Sequence, residues 1–286
     1  MIKEKAKIII LGSQGNLGQE ILKVFADLNP VAWDRSELDI TQEASVLAKI
    51  SDEKPDIIVN CAAYNDVDMV EDEGRLVAES INGYAPGYIA AAAASISSVF
   101  VHYSTGQVFD GNKAEGYNED ALPNPVNAYG RTKLMGEIES QKKTDKLYVI
   151  RTEWLYGKGS RSETSKKSFV DVMLEMAEKD QTINAVVDEF GKPTYVKDLA
   201  QATRAMLEEA KPFGIYHLTN SGMASRYDWA KEIFKIKGIN AKLAEVEGSF
   251  FGNRKAKRPK YEVLNNTKFI ELRPWTEALK DYLETI

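Results

Sequence analysis

The 286-residue chain holds a single cysteine and two histidines. Cys61 has no partner for an internal disulfide, which points to a reducing compartment. It closes an apolar run and reads as a buried structural thiol. With only His102 and His217 beside it, a zinc site of the ordinary kind is not expected. No apolar run approaches the roughly 20 residues that span a bilayer. The alanine-rich stretch from Ile89 to Ser95 is too short and too small-sided for that. A basic excess is also missing: 37 Lys and Arg face 43 Asp and Glu, a net charge of −6. That argues against general nucleic-acid binding, which needs a positive footprint. The start, Met1-Ile2-Lys3-Glu4-Lys5, runs directly into an apolar strand and does not look like a signal peptide. These absences together predict a cytoplasmic protein without membrane or nucleic-acid partners. There is no internal repeat and no low-complexity linker.

Two local patterns are present. The segment Asn127-Ala128-Tyr129-Gly130-Arg131-Thr132-Lys133 sets a phenol and an ammonium four residues apart, on one face of a helix. A free Tyr, with a pKa of about 10, is a poor proton donor or acceptor at neutral pH. A nearby cation favours the phenolate and is expected to draw that pKa down. Such a Tyr can exchange a proton with an oxygen that alternates between carbonyl and alcohol. The second pattern is at the start of the chain. Lys7-Ile8-Ile9-Ile10-Leu11 reads as a buried strand and leads into Gly12-Ser13-Gln14-Gly15-Asn16-Leu17-Gly18. A helix follows, with Leu17, Ile21, Leu22 and Phe25 on one side. Strand, glycine turn and helix form the context of a dinucleotide fingerprint, here spaced Gly-x-x-Gly-x-x-Gly. Its glycines let backbone N–H groups approach a pyrophosphate at the helix N-terminus. A second strand, Pro30 to Trp33, ends at Asp34-Arg35. The acid suits the ribose hydroxyls of NAD and the guanidinium suits the 2′-phosphate of NADP, so the cofactor is expected to be NADP or NAD.

The remainder alternates. Asp56–Asn60, Ser98–Tyr103 and Leu147–Arg151 read as strands, and Tyr84–Ala94, Tyr129–Lys142 and Ser168–Glu178 as helices. This predicts an α/β fold, a Rossmann-type doubly wound parallel sheet with a smaller α/β substrate-binding domain. The expected division is 1–152 for the dinucleotide and 153–286 mainly for substrate, with segments around 183–220 returning to the first part. Ligands sit beyond the carboxyl ends of such strands, so the loops at Gly12, Asn60, Ser104 and Arg151 should line one cleft. The stretch 158–167 reads as a polar loop. A basic patch, Arg254, Lys255, Lys257, Arg258 and Lys260, reads either as a phosphate site or as a solvated loop that balances charge.

Longer motifs add a family resemblance. They include Asp34-Arg35-Ser36-Glu37-Leu38-Asp39-Ile40, Pro55 to Tyr64, His102-Tyr103-Ser104-Thr105 and Val108-Phe109-Asp110-Gly111. Arg151 to Gly157, Phe190-Gly191-Lys192-Pro193-Thr194, Gly214 to Leu218 and Arg258-Pro259 continue the series. In this order the chain resembles the extended short-chain dehydrogenase/reductases, and within them the dTDP-4-dehydrorhamnose reductase (RmlD-like) family. The resemblance implies Thr105, Tyr129 and Lys133 as catalytic residues. Thr105 would hydrogen-bond the substrate carbonyl, Tyr129 would donate the proton, and Lys133 would hold the nicotinamide ribose and lower the Tyr pKa. It implies cofactor binding by Gly12, Gln14, Gly15, Asn16, Leu17, Gly18, Asp34, Arg35, Asp39, Ile40, Cys61, Ala62, Ala63 and Tyr64, with Tyr129 and Lys133. Thr105, Gln107, Trp154 and Arg258 would meet the substrate. The implied reaction is NAD(P)H-dependent reduction of the 4-keto group of a nucleotide-linked 6-deoxy sugar, with a homodimer left open.

The chain also departs from the family pattern. The usual Ser-Thr-Asp-Tyr-Val-Phe-Asp-Gly becomes Ser104-Thr105-Gly106-Gln107-Val108-Phe109-Asp110-Gly111, losing a carboxylate and an aromatic beside Thr105. The usual Thr-Ala-Val-Asp-Lys becomes Asn65-Asp66-Val67-Asp68-Met69, and Glu262 stands where a Ser is usual. These changes leave two alternatives: an altered sugar, with reductase or epimerase chemistry, or a regulatory subunit like the β-subunit of methionine adenosyltransferase. Neither Gly106 nor Gln107 ionises, which argues against a dehydratase. Some family members bind magnesium through carboxylates. Glu20 matches one such position but Lys197 replaces another acid, so no metal is expected.

Overall fold

The computed structural model describes residues 2, 5–160, 167–179 and 181–286. Most of the polar loop read at 158–167 lies outside the described residues. Five strands from residues 8–152 and one later strand build a six-stranded sheet in the order Gly214–His217, Leu147–Thr152, Val99–Thr105, Ile57–Asn60, Ile8–Leu11, Val31–Trp33. Every pairing in it is parallel. The four central strands are buried at nearly every position because both faces are covered. Successive side chains point to opposite faces. Ile8, Ile10, Ile57, Val59, Val101 and Ile150 join one core with the helices Asn16–Val24 and Val196–Glu208. Ile9, Leu11, Ile58, Phe100 and Val149 join a second core with the helices Glu43–Glu53 and Ala85–Ser95. The chain winds outward in both directions from Ile8–Leu11. The switch point therefore falls between the ends of Ile8–Leu11 and Ile57–Asn60, where open α/β sheets bind ligands.

The last strand, Gly214–His217, comes from late in the sequence and pairs with Leu147–Thr152. Other late segments form small sheets. One has three strands: Tyr261–Glu262 runs parallel to Phe190–Gly191, and Ala224–Ser225 runs antiparallel to it. This small sheet sets Glu262 opposite Gly191, with Arg226 next along the chain after its edge strand. The predicted helices start and stop within a residue or two of those observed. The helix Ala85–Ser95 is preceded by a wider π-helical stretch, Glu79–Tyr84. The helix Phe169–Ala177 begins in a capping box, with Ser168 and Asp171 each satisfying the other's backbone N–H, which adds about 1 kcal/mol at an N-terminus. No helix among the described residues is long and apolar enough to cross a membrane.

Candidate active site

The glycine turn is a cradle without room for side chains. Gly12 has φ +70°, and a Cβ there would lie 2.6 Å from the backbone N of Ala62. A Cβ on Gly18 would sit inside the van der Waals surface of the Gly12 carbonyl oxygen. The turn is closed by the Gly15 N–H donating to Gly12 O at 3.1 Å. The helix Asn16–Val24 has no side-chain cap at its N-terminus, so its first N–H groups remain available to an anion. The Asn16 side-chain oxygen is buried without a partner. Asp34 accepts the Gln14 N–H at 2.9 Å and the Arg35 N–H at 2.8 Å, which ties the second strand's acid to the turn. The Arg35 guanidinium is 84% exposed, with Asp39 3.9 Å away, and is free to reach a phosphate. Asp39 is held below the usual carboxylate range, chiefly by the Thr41 hydroxyl. Ile40 is buried beneath it in the second core.

The strand end Cys61-Ala62-Ala63-Tyr64 backs directly onto Gly12. The Ala62 N–H donates to Asn60 Oδ1 at 3.1 Å. The Tyr64 N–H donates to Asn82 Oδ1 at 2.9 Å, while Asn82 Nδ2 donates to Tyr64 O and to Thr132 Oγ1. Asn82 therefore clamps this strand end to the helix Ala128–Gln141. It lies in the π-helical stretch, and nothing in its sequence context marks it. Cys61 is half-buried, not fully buried as its apolar setting suggested, and desolvation pushes its thiol pKa well up, which disfavours the thiolate.

The helix Ala128–Gln141 presents Tyr129, Lys133 and Glu137 at i, i+4 and i+8, along one face. Its start is fixed by Asn127, whose Oδ1 accepts the Gly130 N–H at 2.7 Å. Asn127 Nδ2 in turn donates to Gln107 Oε1 and to Lys257 O, each at 2.9 Å. Gln107, expected at the substrate, thus spends its side-chain oxygen on anchoring this helix. Buried Lys133 donates from Nζ to Tyr103 O at 2.6 Å. Burial lowers its pKa to about 8, against the opposing pull of Glu137. Glu137 is held in place by Arg151, with Nε–Oε1 at 3.0 Å and Nη2–Oε2 at 2.7 Å, and by the Ser104 hydroxyl.

The expected depression of the Tyr129 pKa is not found. Burial and the nearby Glu262 push the phenol above its ordinary value, and its hydrogen bond with Thr105 only partly offsets them. The Lys133 ammonium is turned to the Tyr103 carbonyl. Thr105 ends its strand, accepts the Gln107 N–H at 3.2 Å and donates to Glu262 Oε1 at 3.4 Å. A carboxyl therefore does stand beside Thr105, although the local sequence Gly106-Gln107 has none. It comes from Glu262, 157 residues away, and burial raises its pKa to about 7.

Trp154 has a left-handed backbone, φ +45°. Its indole N–H donates to Glu262 Oε2 at 3.2 Å. The Arg226 guanidinium lies 3.5 Å from the centre of its ring, a cation–π contact that sequence reading did not foresee. The basic patch is largely spent: Arg258 pairs with Asp68 at 2.7 Å, Arg254 with Glu189, and Lys255 with Asp72. Arg258 is thus held by an acid of the altered Asn65-to-Met69 segment. Glu20 pairs with Lys23, and Lys197 lies 3.1 Å from Asp281.

The residues fit a dinucleotide. The glycine turn brings its backbone to the helix start with no Cβ at Gly12, Gly15 or Gly18, and the Asn16 side chain holds a buried polar atom without a partner. A parallel sheet with this cradle at its switch point, and a Tyr-x-x-x-Lys helix facing it, defines an NAD(P)-dependent short-chain dehydrogenase/reductase. The model of the RmlD substrate-binding domain matches residues 6–286, and the chain belongs to this family. It is 36% identical to the spore coat polysaccharide biosynthesis protein SpsK of Bacillus subtilis, over 97% of both chains. It is 35% identical to a dTDP-4-dehydrorhamnose reductase of Mycolicibacterium smegmatis, over 98% of this chain and 86% of that one. The crystal structure of a dTDP-4-dehydrorhamnose reductase of Bacillus anthracis, in complex with NADP, superposes with a TM-score of 0.92 at 31% identity. It covers 99% of this chain and 100% of that one.

Proposed function

We propose that this protein reduces the 4-keto group of a nucleotide-linked 6-deoxy sugar, using NADP or NAD in reduced form, with dTDP-4-dehydro-L-rhamnose as the substrate to which the relatives point. The observation that carries the reading is convergence. Thr105 hydrogen-bonds Tyr129 at the carboxyl end of its strand, and Lys133, one helical turn on, reaches Tyr103 O of the same strand, which supports a catalytic group beside the glycine cradle. Residues 1–152 hold the dinucleotide in this reading, and 153–286 mainly the sugar, with segments around 183–220 returning to the first part. The reducing compartment suggested by the single cysteine makes the cytoplasm its place of work.

Bound NAD(P)H supplies the hydride that reduces the carbonyl carbon. The chain's own residues handle the oxygen. Tyr129 is the proton donor. Its raised pKa keeps it protonated at neutral pH, ready to give its proton to the alkoxide that develops at the carbonyl oxygen. Thr105 turns its hydroxyl to the carbonyl oxygen and orients it. Lys133, tethered to Tyr103 O, holds the nicotinamide ribose and leaves a positive field where negative charge develops. Trp154 supplies a flat wall for the sugar. Gln107 and Asn127 fix the start of the Tyr129 helix, and Arg258 is held at the pocket's border by Asp68.

The test is oxidation of NADPH and of NADH by the purified protein, with dTDP-4-keto-6-deoxy-L-mannose generated in the same tube. Tyr129→Phe is expected to lose roughly 10²–10⁴-fold in kcat while still binding cofactor. Absence of turnover by the wild type, or full activity in Tyr129→Phe, would overturn the reading.

A further inference from the structure

Two departures from the family pattern, Gly106 and Glu262, meet in space. A Cβ on Gly106 would lie 2.8 Å from Glu262 Cγ and 3.4 Å from its Oε1. The side chain absent at 106 is what lets the Glu262 side chain in. Glu262 is fixed from behind by its strand, paired with Phe190–Gly191, and is only 6% exposed. Its two hydrogen-bond donors among the described residues are pocket side chains, Thr105 at 3.4 Å and the Trp154 indole at 3.2 Å. Glu153, the neighbouring buried acid, is different. It accepts the backbone N–H groups of Leu264 at 2.9 Å and Lys192 at 3.1 Å. A carboxylate offers about four lone-pair sites. Glu153 commits its oxygens to shaping the backbone, whereas Glu262 holds two long bonds to residues that face the substrate.

We propose that Glu262 is a specificity-determining residue of the sugar pocket, whose carboxyl accepts a hydrogen bond from the hydroxyl on the ring carbon beside the keto carbon. The proposal rests on the reductase reading above. A sugar whose carbonyl oxygen reaches Thr105 brings its next ring carbon toward the carboxyl that Thr105 touches. A neutral donor suits the place better than an ammonium, because Arg226 and Arg258 already act on this carboxyl with positive charge. Arg226, stacked on Trp154, holds the indole that fixes the second carboxyl oxygen. The two departures are therefore one change, a carboxyl delivered from the far strand in place of one on the Thr105 loop.

The experiment compares kcat/KM for dTDP-4-keto-6-deoxy-L-mannose and for its 3-deoxy counterpart, with NADPH, on the full chain. Wild type is expected to favour the hydroxylated sugar by at least about 10²-fold, since a site built to accept a hydroxyl strongly rejects the analogue that lacks it. Glu262→Ser should bring that ratio to within about 10-fold, mainly by losing activity on the hydroxylated sugar. Gly106→Ala, which displaces the Glu262 side chain, should do the same in the wild type and add little to Glu262→Ser. Glu262→Gln keeps shape and an acceptor and should retain an intermediate preference, which separates chemistry from misfolding. A ratio unmoved in all of these variants would overturn the proposal while leaving the reductase reading intact. A wild type that reduces neither sugar would overturn both.

Discussion

Breaking the Arg151–Glu137 pair should destabilise the fold and disturb the site at once. Both side chains are 2% exposed, and the pair is bidentate. It joins the strand Leu147–Thr152 to the helix that carries Tyr129 and Lys133. Removing one partner of such a pair leaves an uncompensated buried charge, at about 3–5 kcal/mol. In Arg151→Met the Glu137 carboxylate keeps the Ser104 hydroxyl, so a loss near about 3 kcal/mol is expected. At roughly 2–4 °C per kcal/mol for a chain of this size, that is a fall in Tm of about 6–12 °C. Arg151→Met/Glu137→Leu fills the same space without charge and should recover at least about 2 kcal/mol over the single variant. Thermal and urea unfolding followed by circular dichroism would measure all three. The functional signature is separate. Glu137 raises the Lys133 pKa, so Glu137→Gln should move any alkaline limb of activity to lower pH. A single-variant loss under about 1 kcal/mol, or a double variant that costs the sum of two singles, would refute the reasoning.

Other predictions concern the same cleft. With the free-enzyme pKa of Lys133 at about 8, kcat/KM for NADPH should fall as pH rises through that value, and Lys133→Arg should lack this limb. Burial of the Lys133 cation costs stability below its folded pKa, and the cost fades as pH rises from about 8 toward the ordinary 10.5. Glu262 works in the opposite sense, since its pKa is raised from 4.5 to about 7. Its protonated form favours the fold in acid, and this contribution is lost as pH rises across that window. Tm should therefore carry a downward component there that Glu262→Gln removes. Gly18→Ala, whose Cβ would run into the Gly12 carbonyl, should open the turn and weaken NADPH binding at least about 10-fold, or about 1.4 kcal/mol. Fluorescence titration would read the loss, and unchanged affinity would refute the cradle.

The parallel sheet, the glycine turn and the placing of Tyr129 and Lys133 on one helical face are legible from residue order alone. Each is a local pattern: an apolar run of strand length, glycines at fixed spacing, and two side chains one helical turn apart. Local patterns are legible because neighbours along the chain are bound to be neighbours in space. Residue order also marked Gly106 and Glu262 as departures, although as two separate ones. Their contact is a product of the fold: a parallel pairing with Phe190–Gly191 carries Glu262 across 157 residues to Thr105. The same holds for Arg226 over Trp154, for Asn82 clamping the Tyr64 strand end, and for Arg258 committed to Asp68. The Tyr129 pKa turned out opposite to expectation for this reason as well. Helical spacing brings Lys133 to the same face, but burial and a distant carboxyl, which no spacing along the chain encodes, set the field at the phenol.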